Sequence, residues 1–200
     1  TDMNIDPANT MASLERILSS RPHKPRGIIA TLKLSDLSHA EELDKWCASC
    51  ASWGYQTRVQ QAREALAAQQ GQSMSIVRWN PKGPVYMLED SFASQIVKEL
   101  GFVRPEQQRE PGFTHSQALS LESLDLLDAD WLVVGTLAGT GEAADALNQA
   151  RDTPAFQQLG AVQSGQMAPV DGSLWTSVGG PLAAMQVIDD VENMVKASKP

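Results

Sequence analysis

The sequence predicts an α/β protein, a layered sheet with helices on both faces. Three observations carry the prediction. Short apolar runs of strand character recur along the chain: GIIATLKL (27–34), SMSIVRWN (73–80) and DWLVVGTL (130–137). Between them lie segments of helical period with their own start and stop residues, such as SFASQIVKELG (91–101). The 200 residues are 42% hydrophobic and 20% charged, the balance of a globular chain rather than a disordered one.

Taken in order, TMASLERIL (10–18) predicts a short helix, with Met11, Leu14 and Leu18 on one face. Two prolines and a glycine make SSRPHKPRG a loop, and 27–34 follows as a buried strand. Ser38 caps a helix with Glu41 and Glu42 in its first turn; it runs to about Trp53 and stops at Gly54. TRVQQAREALAAQQ (57–70) reads as strand or helix, its Ala, Gln and Glu content favouring helix in the later part. A strand (73–80), a turn at NPKGP and a second strand at VYML (85–88) make a hairpin. Ser91 caps the next helix and Gly101 ends it. VRPEQQREPGFTHSQA (103–118) is a long polar loop of the kind that often carries function. SLESLDLLDA is a short helix, DWLVVGTL a buried strand, and EAADALNQAR and TPAFQQL are helices, the second with Pro at its first position. GQMAPVD (165–171) is a strand. The final helix, in GGPLAAMQVIDDVENMVKAS, sets Leu182, Met185, Ile188, Val191 and Val195 in one apolar stripe, leaving Asp189, Asp190 and Glu192 on a solvated face. Two segments are expected, 1–70 and 71–200, folding as one body if the 27–60 unit completes the later sheet, with 27–34 beside 131–137.

The formal net charge of −8 and the scattered Lys and Arg residues disfavour nucleic-acid binding. No apolar run is long enough for a membrane span, and the N-terminus lacks the basic and apolar blocks of a signal peptide. Cys47 and Cys50 form a C-x-x-C on a helical stretch without a second cysteine pair or spaced histidines, so two helix-face thiols are expected rather than a zinc or redox site. No G-x-S-x-G, H-E-x-x-H or P-loop is present, and no metal or cofactor is expected. GTLAGTGEAAD (135–145) places glycines between a strand and a helix, as phosphate loops do, but without their spacing or lysine; it reads as a connection.

Residues 73–195 resemble the C-terminal lobe of periplasmic iron–siderophore binding proteins of class III, the ligand-capturing components of ABC importers. The resemblance rests on the order of MSIVRW, VYMLEDSFASQIVKELGFVRP, SLESLDLLDADWLVVGTL, TPAFQQLGAVQSGQMAPVDGSLW and GGPLAAMQVIDDV. It implies a binding protein rather than an enzyme, a periplasmic location, a ferric siderophore as ligand and a permease as partner. It places one or both of Arg78 and Trp79 at the cleft, where an arginine fork suits carboxylate or catecholate oxygens and aromatic faces supply contact area; a surface or helix-pairing cation is the alternative for Arg78. Tyr86, Phe113 and Trp175 are the further ligand candidates; for Trp175 a loop-to-core anchor is the equal alternative. Trp131 and Phe156 read as core. The family's acidic docking residue falls at Lys98, with Glu99 beside it as the substitute.

RGIIATLKLSDLSHAEELDKWCASCASWGYQTRVQQ (26–61) resembles the C-terminal part of FtsJ-type RNA 2′-O-methyltransferases. That likeness makes Lys33 a catalytic-type lysine and Glu64 its glutamate, but the cofactor loop, first lysine and aspartate are missing. The alternative to a siderophore-binding lobe is an α/β fragment, or two joined half-domains, with no ligand.

Overall fold

In the computed structural model Thr1–Ala48 and Ser49–Pro200 are two compact units, and the structure describes residues 54–198. The elements expected over 10–18, 27–34 and 38–53, with Cys47, Cys50 and Lys33, lie outside those residues.

The described chain opens in helix α1 (54–65), whose first described residue is Gly54, the glycine expected to stop a helix. A 3-10 turn at Ala67–Gln69 leads into strand β1 (Met74–Asn80). β2 (Gly83–Tyr86) returns antiparallel to it, beginning two residues earlier than the VYML run suggests. Gly83 takes a positive φ of 126° at this turn, and a Cβ there would sit 2.4 Å from the Leu119 carbonyl oxygen. Helix α2 (Phe92–Glu99) follows; Gly101 ends it at φ 99°, a left-handed conformation that suits glycine. Leu121–Leu127, expected as an ordinary helix, is a 3-10 helix with a break at Ser123. β3 (Trp131–Thr136) precedes α3 (Glu142–Arg151), α4 (Pro154–Gln157) and α5 (Gly160–Gln163). β4 (Met167–Asp171) passes directly into α6 (Gly172–Thr176), and α7 (Pro181–Ala197) closes the fold.

The sheet order is β2-β1-β3-β4, with β1, β3 and β4 parallel. Each flank of β3 is occupied, by β1 and by β4; the 27–34 segment expected beside it lies outside the described residues.

Strand alternation builds two cores. Met74 and Ile76 of β1 and Trp131 and Val133 of β3 face a cluster made by α1, α2, α6 and α7. Val77, Trp79, Leu132 and Val134 face the opposite cluster, made by α3, α4, α5 and the 3-10 helix. The result is a sheet between two helical layers, with Trp131 and Phe156 in the cores as expected.

The apolar stripe of α7 is shifted from the expected one. Ala184, Val187, Ile188, Val191, Met194 and Val195 face the core, whereas Leu182 is 88% exposed. The acids of α7 are not a free solvated face either. Asp189 and Glu192 pair with Arg58 of α1 at 2.6 and 2.7 Å, and Asp190 accepts from the Trp175 indole.

The loop after α2 is anchored by a buried cation. Arg104 donates to the Met74 and Met87 carbonyls and to Gln108 Oε1, and Gln108 in turn donates to Ser75 Oγ and the Leu126 carbonyl. Burial lowers the Arg104 pKa to about 9, partly opposed by the charge of Glu89. From Glu110 to Leu119 the chain bonds along the open side of β2, so this edge does not present free backbone groups.

Candidate functional site

In parallel α/β sheets, ligands collect beyond the carboxyl ends of the strands. Here that edge comprises the end of β1, the loop after β3 (137–141), α6, and the turn 177–181 before α7.

Arg78 lies at this edge on the α6 face of the sheet, in register with Gly135 of β3 and Val85 of β2. Because Gly135 carries no side chain, the first residue of α6 sits on the strand backbone. A Cβ on Gly135 would be 2.6 Å from the Gly172 nitrogen, and one on Gly172 would be 2.6 Å from the Thr136 oxygen. Asp171 fastens this arrangement by accepting from the Ser173 and Leu174 amides. Arg78 is half-buried. Its Nε is enclosed without a hydrogen-bond partner, and burial lowers its pKa. Among the described residues no carboxylate pairs with it. A partly desolvated guanidinium of this kind presents donors to an anionic group at little further desolvation cost.

The other expected ligand residues do not gather around it. Trp79, the next residue on β1, points to the opposite face. It is 1% exposed and packs edge-on against Phe156 at 5.9 Å. Trp175 is fully enclosed, and its indole nitrogen donates to Asp190 Oδ2 at 2.9 Å. Both assignments as ligand platforms are therefore corrected. The cause for Trp79 is strand parity; for Trp175 it is that the stretch read as a loop is helix α6, seated tightly on β3. The anchor alternative describes Trp175. Tyr86 is half-buried against the Trp79 cluster, on the face away from Arg78. Phe113 is 82% exposed, but the antiparallel bridge Met87–His115 places it towards the amino ends of the parallel strands. It lies roughly four residues, on the order of 13 Å, along the sheet from Arg78.

Glu99 is exposed at the end of α2 and accepts from the Tyr55 hydroxyl at 2.6 Å. Burial, with Glu99 second, raises the Tyr55 pKa. Lys98, the cation at the expected docking position, is neutralised by Glu89 at 2.7 Å. Glu64 of α1 is exposed and accepts from Gln60.

Aliphatic groups at the edge escaped the sequence reading. Leu137, Val178 and Leu182 are 50%, 48% and 88% exposed. The helical phase held the signal for Leu182: Ala184, Val187, Ile188 and Val191 continue one stripe without it. A shallow pocket of about 690 Å³ at the β1–β2 turn is lined by Asn80, Lys82, His115 and Glu142 among others. Among the described residues no cluster of three His, Cys, Asp or Glu side chains is placed to hold a metal, and no helix is long and apolar enough to cross a membrane.

Residues 52–173 match the periplasmic binding protein family. A probable siderophore-binding lipoprotein of Bacillus subtilis, YfiY, is 33% identical over 153 residues, covering 72% of this chain and 47% of the relative. The fold is similar to that of Staphylococcus aureus SirA in complex with staphyloferrin B, with a TM-score of 0.66, 19% identity, and 74% of this chain and 55% of that one covered. It is also similar to the siderophore periplasmic binding protein from the fuscachelin gene cluster of Thermobifida fusca, with a TM-score of 0.60, 22% identity and coverage of 77% and 55%. The chain thus spans about half the length of these relatives.

Proposed function

The chain belongs to the periplasmic binding protein family, and from that premise we propose that it captures a ferric siderophore for an ABC importer, at the periplasmic or outer side of a membrane. The family is one of binding proteins, and the site is accordingly a surface for holding a ligand rather than for reacting with it. The observation that carries the reading is Arg78, a cation at the carboxyl edge of the sheet with a buried, unpaired Nε and no carboxylate partner among the described residues. Elsewhere such a group would be paired, because desolvating a charge without compensation is costly. A ferric siderophore with carboxylate or catecholate oxygens supplies the compensation.

Support also comes from YfiY, a probable siderophore-binding relative, and from the solved staphyloferrin B complex of SirA, a neighbour in fold. Phe113 and Tyr86 remain outer candidates, reached only by a ligand that wraps round the β2 edge, towards the amino ends of the strands for Phe113 and onto the opposite face for Tyr86. Glu99 is proposed as the permease-docking acid; its bond to Tyr55 holds the carboxylate in a fixed position while leaving it exposed.

The test is a titration of the full chain with ferric siderophores of the hydroxycarboxylate, hydroxamate and catecholate classes. Arg78→Ala is expected to weaken binding of an anionic complex at least about tenfold, the scale of a lost charge-assisted bond. Its melting temperature should stay near that of the parent, because no partner among the described residues is lost. Arg78→Lys restores part of the affinity, a point charge replacing the planar fork. Unchanged affinity in Arg78→Ala, or a large loss of stability, removes Arg78 from the site.

A further inference from the structure

The edge around Arg78 has an apolar character of one kind. Trp79 and Trp175 are sealed in the cores, Tyr86 faces the other side of the sheet, and Phe113 lies towards the opposite end. Among the described residues, the exposed apolar side chains at this edge are aliphatic. Leu137 is two residues beyond Gly135, the register partner of Arg78. Val178 is tied back to α6, its amide donating to the Ser173 carbonyl, and Leu182 stands in the first turn of α7.

A second, independent observation concerns glycine. A Cβ on Gly139 or Gly179 would meet nothing within 4 Å, and neither residue has a positive φ. Neither packing nor backbone conformation requires glycine at these places. Their effect is to leave bare backbone beside Leu137 and Val178, a surface on which a flexible chain can lie close.

We propose that the ligand is an amphiphilic ferric chelate, whose anionic iron-bearing head meets Arg78 and whose alkyl chain lies across Leu137, Val178 and Leu182. This rests on the reading that the carboxyl edge of the sheet holds a ferric siderophore. An alkyl chain fits the observations better than an aromatic ring, because the wall offers methyl and methylene groups without a flat face to stack on. It also gives the exposed leucines an occupant that removes their surface from water.

The experiment uses two ferric complexes of carboxylate-bearing hydroxamate chelators that differ only in their acyl group, dodecanoyl or acetyl, below the micellar concentration of the first. Each is titrated into the full chain and into the double variant Leu137→Ser, Leu182→Ser. The parent is expected to bind the dodecanoyl complex at least about tenfold more tightly, and the ratio should fall towards one in the variant. Equal affinities in the parent overturn the proposal and leave the reading of the edge standing. Binding of neither complex overturns that reading itself. A ratio that persists in the double variant overturns the placement of the chain. So does a change of oligomeric state with the ratio intact, which assigns the leucines to a protein contact. Both positions are exposed, so a melting temperature close to the parent's is expected to accompany each result.

Discussion

Trp175 shows how one residue changes meaning with its surroundings. Before a Gly-Gly-Pro stretch it has the look of a ring waiting for a ligand. In the structure it fills the space between α6, α7 and the sheet, and its only polar atom is satisfied by Asp190. Removing it leaves a large cavity, so Trp175→Ala is expected to cost roughly 3–5 kcal/mol of stability in a denaturant titration. Trp175→Phe keeps much of the volume and loses the bond to Asp190, for a smaller cost of about 1–2 kcal/mol. Ligand affinity of the folded Phe variant should match the parent's. A Trp175→Ala variant as stable as the parent would show the indole to be dispensable to the core.

At the scale of elements, the contact of α6 with β3 decides the form of the site edge. Two glycines meet backbone to backbone, and this closeness brings Trp175 inward and turns the chain at 177–181 beside the Arg78 edge. Gly135→Ala drives a methyl group to within 2.6 Å of the Gly172 nitrogen and the Val170 oxygen, neither of which belongs to a flexible side chain. The helix must shift, at an expected cost of roughly 1–3 kcal/mol. The ferric-ligand affinity should weaken as well, because the edge moves with the helix. Normal stability and affinity in Gly135→Ala would show that the contact is not restrictive. The elements themselves were largely legible: SMSIVRWN, DWLVVGTL and SFASQIVKELG gave strand, strand and helix within a residue or two. The helix α6 was not, because five residues are too few to display a period.

For the molecule as a whole, stability is linked to pH through the junction of α1 with α7. Hydrogen bonding from Arg58, followed in effect by opposing burial and then Lys196, holds the Glu192 carboxyl below its ordinary value of 4.5. A carboxyl depressed in the folded state contributes stability that is fully present above its unfolded value. The contribution is lost as pH falls below 4.5 through the depressed folded value. Unfolding followed against pH should therefore show a steeper loss on the acid side in the parent than in Glu192→Gln. Parallel acid limbs would show that the pair is fully screened by solvent. This junction also relates to the expected segment boundary at 70: the compact unit from Ser49 takes in α1, whose Ala62, with Leu66 just after the helix, lies in the core.

By itself the sequence determined the α/β class, most of the strands and helices of the later part of the chain, and the resemblance to siderophore-binding proteins. These properties reside in local period, in cap and turn residues and in the order of segments. Only the tertiary structure decided which of the expected ligand residues share a surface. Arg78 and Trp79 are neighbours in sequence yet lie on opposite faces of a strand; one has an enclosed Nε with no hydrogen-bond partner among the described residues, while the other is sealed against Phe156. Exposure is a property of what packs above a side chain, and that depends on residues distant in sequence: Gly135 against Gly172, Asp190 against Trp175.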